Sequence, residues 1–213
     1  MNTRKMNTRK LLVSSLMLVC VLLSACAPAA TPVPTSVLPI AVPTIAPAST
    51  LTTFSPKTFN LPITLNYSPE WHIDEEYSDL VTLGYTGHDA GVSFINVKNA
   101  KIADGIAFPD DFVTWIQSSD SLFQVVESKS VLVGGIQGIW INATYTCGNT
   151  KIWIMLSRTG WGCANGEPIG FIYLDDVYGE RVLIQIIPSD DKDYMFIVEE
   201  SQKVVDTVVF SKP

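Results

Sequence analysis

Between Ala27 and Pro56 the chain carries seven of its thirteen prolines and not one charged residue, a composition unlike that of the segments on either side. Proline fixes φ and removes a backbone donor, so residues 26–56 are expected neither to join a sheet nor to continue a helix. At about 3.1 Å per residue, polyproline-II geometry lets such a segment reach roughly 90 Å. It reads as a tether. From Lys57 the composition changes abruptly, and all 21 acidic residues lie beyond that point. The expected organisation is a leader over 1–25, a tether over 26–56 and one globular domain over 57–213, long enough to bury a single core.

The leader has three parts. Arg4, Lys5, Arg9 and Lys10 are followed by the apolar run Leu11 to Leu23, which ends in Leu23-Ser24-Ala25-Cys26. Thirteen residues make roughly 20 Å of helix, short of a hydrocarbon core of about 30 Å, so a permanent span is not expected. Small residues at Ser24 and Ala25 leave the backbone open to a peptidase, which suits an ordinary secretory signal as well. The cysteine placed directly after them separates the two cases. The run resembles the lipobox of bacterial lipoproteins, and that resemblance implies that Cys26 is lipidated and holds the mature chain on the extracytoplasmic side of a membrane. Met1 to Lys5 recurs as Met6 to Lys10, which makes Met6 an alternative start. Loss of the leader's four cations takes the net charge from −7 to −11. A chain this acidic is repelled by nucleic acid and by anionic headgroups, so nucleic acid is excluded as a partner and membrane attachment must come from the lipid.

Within the domain, Ile63 to Tyr67, Leu80 to Tyr85 and Gly91 to Lys98 are predicted strands, broken by Pro69, Gly87 and Gly91. Asp110 is placed to cap a short helix on which Phe112, Trp115 and Ile116 share a face. Five further strands come next: Phe123 to Val133, Gln137 to Thr146, Lys151 to Ser157, Ile169 to Leu174 and Val182 to Pro188. Asp190 or Asp191 opens a last helix, whose buried stripe runs through Tyr194, Ile197, Val198, Ser201, Val204, Val205 and Val208. Strands such as Ile152 to Leu156 are apolar on both faces, so both faces need cover. The predicted class is α+β, an antiparallel sheet flanked by helices on both faces.

Three short motifs carry a family resemblance: Tyr67-Ser68-Pro69-Glu70-Trp71, Val133-Gly134-Gly135-Ile136-Gln137-Gly138, and Val204-Val205-Asp206-Thr207-Val208-Val209-Phe210. Together with the element order they resemble the PsbP-like fold. The resemblance implies an α/β/α sandwich and a binding or assembly module, and it supplies no catalytic residues.

Chemistry is sparse. His72 and His88 are the only histidines, both expected in loops, and each reads either as a metal ligand or general base, or as a solvated or capping imidazole. Asp74-Glu75-Glu76, Asp110-Asp111, Asp175-Asp176 and Asp190-Asp191-Lys192-Asp193 lack the spacing of a calcium loop and read as solvated turns or helix caps. No metal or other cofactor is implied. Cys147 and Cys163 are the cysteines left in the exported domain. They suit a disulfide, with two buried thiols, or a zinc pair lacking partners, as the alternatives. Trp161, among glycines beside Cys163, is a possible partner contact, or else folds back over the sheet. The expected function is a lipid-tethered binding or assembly domain for an envelope protein or small ligand. The alternative is an extracytoplasmic, hydrolase-like enzyme whose site assembles from scattered residues.

Overall fold

The computed structural model describes residues 50–102, 106–118, 123–146, 154–156, 159–161, 166–187 and 192–212. Its elements in chain order are β1 (Thr52–Phe54), β2 (Ile63–Tyr67), β3 (Trp71–Glu76), β4 (Leu80–Tyr85), β5 (Gly91–Asn96), a 3-10 turn (Val97–Asn99), β6 (Lys101–Ile102), β7 (Ile106–Ala107), α1 (Phe112–Ile116), β8 (Phe123–Val133), β9 (Ile136–Tyr145), β10 (Ile154–Leu156), β11 (Thr159–Trp161), β12 (Pro168–Val177), β13 (Glu180–Ile187), α2 (Tyr194–Val205) and β14 (Val209–Phe210). Seven strands form one antiparallel sheet in the order β3-β4-β5-β13-β12-β9-β8. A three-stranded sheet, β1-β2-β14, and two ribbons, β6-β7 and β10-β11, complete the pairings among the described residues.

Alternation along the central strands divides the core in two. Val182, Ile184 and Ile186 on β13, with Ile172 and Leu174 on β12, join one cluster. Leu183, Phe171 and Tyr173 join the other. The first cluster is closed by Ile197, Val204 and Val205 of α2, by Ile63 and Leu65 of β2 and by Phe210 of β14. The second is closed by Phe112 and Ile116 of α1 with Phe108, Val97 and Ala100. The helical cover is therefore unequal. α2 has 12 residues and α1 has five, so irregular chain does much of the covering that the sequence reading assigned to a helix.

The β2 layer is tied to the end of α2. Thr207 Oγ1 accepts from the Asn66 N–H at 2.7 Å and donates to the Val204 carbonyl at 2.8 Å. β1 corrects the tether assignment, because Thr52, Thr53 and Phe54 pair with Tyr67, Asn66 and Leu65. The physical reason is local. The prolines pause between Pro47 and Pro56, and that gap holds Thr52 and Thr53, whose β-branched side chains favour strand.

The β8–β9 hairpin closes on Gly134 and Gly135, at φ 56° and 80°. That conformation suits a two-residue turn of type I′ and is strained for residues with a Cβ. Gly138 serves a different need. A Cβ there would collide with Leu174 and stand 2.8 Å from the Tyr173 carbonyl oxygen, so its bare backbone lets β12 close on β9.

Candidate functional site

Several expected site residues fall outside the described residues: Cys26, Cys147, Cys163, Asp190 and Asp191. Trp161 is the last residue of β11, in register with Ile154 on β10. The caps need correction. Asp111, not Asp110, caps α1, its carboxylate accepting from the Thr114 N–H at 2.9 Å. Hydrogen bonds from the Thr114 side chain and backbone hold the Asp111 carboxyl below its ordinary range. α2 begins after Asp193, whose carboxylate makes no capping bond to the helix.

Both histidines reach the same small hollow. His72 lies on β3, a strand and not the expected loop, and its Nε2 is 2.9 Å from Asp74 Oδ1. Its Nδ1 lies 3.4 Å from Thr86 Oγ1. A Cβ on Gly84 would collide with the Asp74 carboxylate, so the glycine makes room for that pair. His88, in the turn after β4, places Nδ1 3.1 Å from Asp193 Oδ2 and packs against Tyr85 and Phe196. The hollow, lined by His72, Asp74, His88 and Asp89 over Gly84 and Gly91, holds about 90 Å³. Among the described residues no group of three or more His, Cys, Asp or Glu has a metal-binding arrangement.

A larger concavity lies at the other end of the sheet. It measures about 780 Å³ and is walled by Asp110 and Asp111 ahead of α1, by Gly135 of the hairpin turn and Ile136 to Ile139 of β9, and by Tyr173, Asp175 and Asp176 on β12. Val113, Ile136 and Ile139 add apolar surface. Each wall has a cause. Arg181 on β13 donates from Nη1 to the carbonyls of Pro109 and Asp110, at 3.2 and 2.9 Å, and so draws the α1 entry onto the sheet. The β12 ladder shifts register between Leu174 and Val177, which turns Asp175 and Asp176 out to exposed positions. Asp175 Oδ1 then accepts from the Tyr173 hydroxyl at 3.0 Å, while Asp176 Oδ1 accepts from the Gly179 N–H at 2.7 Å. Burial first, and the Asp175 bond second, push the Tyr173 phenol up to about 12, so it remains a donor at neutral pH.

Four carboxylates thus face one cleft, with Arg181 the nearby cation, its Nη2 3.6 Å from Asp110 Oδ1. Such a cleft favours a cationic group beside an apolar body. Sequence reasoning takes Asp110-Asp111 as a helix cap and Asp175-Asp176 as a separate solvated turn. Their convergence depends on pairings between distant strands, and the doublets themselves are the available signal.

No family model matches the chain, and no curated protein matches it. Two solved structures are similar to it across most of their length. One is LpqN of Mycobacterium tuberculosis, described as involved in cell envelope biogenesis, at 13% identity and a TM-score of 0.42, covering 77% of this chain and 92% of that one. The other is the cyanobacterial PsbP (CyanoP) of Synechocystis sp. PCC 6803, at 10% identity and a TM-score of 0.40, covering 79% and 96%.

Proposed function

We propose that this chain is a lipid-anchored recognition domain, displayed outside a bacterial membrane through Cys26, that binds an envelope partner or small ligand without transforming it. The observation that carries the reading is the cleft. At about 780 Å³ it falls within the range of pockets that enclose small ligands, roughly 300–1,000 Å³. Its four aspartates select for positive charge, and Val113, Ile136 and Ile139 offer apolar contact. A lysine or arginine side chain flanked by an aliphatic residue has that chemistry.

Isothermal titration with the peptide Leu-Lys-Leu-Lys and its counterpart Leu-Glu-Leu-Glu tests the reading. The lysine peptide is expected to bind and the glutamate peptide not to. Asp175→Asn keeps an acceptor for Tyr173 but removes the charge, and should weaken binding about tenfold, as expected for one charged hydrogen bond. Equal response to both peptides, or no response to either, refutes the assignment.

One arrangement favours the alternative of a hydrolase. Asp74, His72 and Thr86 line up as carboxylate, imidazole and hydroxyl. Three features weigh against it. The hydroxyl contact of 3.4 Å is long for a hydrogen bond. The Thr86 N–H, which would face an oxyanion, donates instead to the Glu70 carbonyl at 2.7 Å. A hollow of about 90 Å³ is also below the usual size of a substrate pocket. Ester or peptide turnover that disappears in His72→Ala would favour the enzyme over the binder.

A further inference from the structure

β8 is the end strand of the seven-stranded sheet, and among the described residues its ladder partner is β9 alone. It is 11 residues long, about twice an ordinary strand. Its side chains from Gln124 to Leu132 are exposed or half-buried. The two most exposed large apolar side chains among the described residues both stand on it, Leu132 at 71% and Val126 at 64%.

Hairpin geometry says which backbone groups are open. In a two-residue hairpin the closing pair, here Val133 and Ile136, is hydrogen-bonded, and bonding alternates from there. Leu132, Ser130 and Ser128 therefore direct their N–H and C=O groups away from β9. Unpaired edges are usually defended by bulges, charges or proline. The opposite edge, β3, is six residues long, has a bulge between Ile73 and Glu75, and carries His72, Asp74, Glu75 and Glu76. β8 has a bulge between Val125 and Glu127, which guards one end of the strand. Beyond it, residues 127–133 are regular and free of proline, and their one cation, Lys129, lies 3.1 Å from Glu127 Oε1.

We propose that this edge pairs with itself: two copies of the chain join antiparallel through residues 127–133 of β8, making one sheet continuous across both. A second copy fits for reasons of charge and order. The chain is strongly acidic, so most pairs of faces repel, whereas residues 127–133 sum to zero. With the two-fold axis at Ser130, Ser128 of each copy faces Leu132 of the other, so open backbone groups meet open backbone groups. Lys129 then faces Val131, and no like charges stand directly opposite. Leu132 of each copy, 71% exposed in the single chain, then lies opposite Ser128 and diagonal to Ser130 of the other. The inference is independent of what the cleft binds.

Sedimentation velocity of the full chain in detergent, over a range of concentrations, tests it. The wild type should sediment as a dimer that dissociates on dilution. Leu132→Lys puts a charge at the seam in place of its most exposed apolar side chain, once from each copy, and Ser130→Pro removes an outward N–H that β9 does not use. Each should raise the dissociation constant roughly tenfold or more while leaving the thermal transition in place. Either variant that melts below the wild type is replaced by Ser128→Pro, which removes another N–H that β9 does not use and is read the same way. A wild type that stays monomeric, or a dimer that survives in either folded variant, overturns the proposal.

Discussion

A chain that stops at Asp190 will show no cooperative thermal transition, whereas the full chain will show one. The truncation removes α2 and β14, and with them Ile197, Val204, Val205, Val208 and Phe210 from one core cluster. Burying a side chain of this kind contributes about 1.5–3 kcal/mol, so the five together contribute on the order of 10 kcal/mol. That is the size of a whole domain's net stability, about 5–15 kcal/mol. The cut also exposes Leu65, Phe94 and Ile184, buried members of the same cluster. A milder version isolates one contact. Ile197 is fully buried, and Ile197→Ala should lower stability by about 2–5 kcal/mol in a denaturant titration. A sharp transition in the truncated chain would mean that the sheet's first face does not need α2.

The second large effect concerns the anchor. Cys26→Ala is expected to abolish incorporation of labelled lipid and to leave the leader uncleaved at this site. Each buried methylene contributes about 0.8 kcal/mol, and one acyl chain gives only reversible attachment, so a diacylglyceryl cysteine is needed for firm retention. The wild-type chain should stay with membranes after a high-salt wash, and the variant's lipid label should vanish entirely. Undiminished label in Cys26→Ala would place the attachment elsewhere.

Legibility from sequence varies with the physics of each segment. β2 is legible to its end residues because apolar alternation there is bounded by Pro62 and Pro69, and β4 because a short, largely apolar run is bounded by turn residues. The stripe on α2 is legible too, since Ile197, Ser201, Val204 and Val205 are buried and spaced for one helical face. β3 is not. Trp71 and Ile73 are its only apolar residues, and its charged remainder reflects an edge position that a single sequence does not reveal. The strand predicted from Gly91 ends early because the Asn96 side chain accepts from the Lys98 N–H and starts a 3-10 turn.

The cleft is the least legible feature, for a related reason. Asp111 and Asp176 each satisfy a local backbone donor, so each doublet has an ordinary explanation on its own. What brings them together is Arg181 holding the α1 entry and the register shift at the end of β12. Neither leaves a mark on spacing. His72 and His88, by contrast, stand out in the sequence as its only histidines, but their meeting around one hollow depends on β3 being a strand.

The recognition reading is tested most directly by mapping backbone amide shifts while Leu-Lys-Leu-Lys is added to the isotopically labelled protein. Concentration-dependent changes are expected at Gly135, Gln137, Gly138, Ile139, Asp175 and Asp176, the residues that wall the cleft. Changes confined to His72, Gly84, His88 and Gly91, or none at the cleft under saturating peptide, would contradict a recognition role for the cleft.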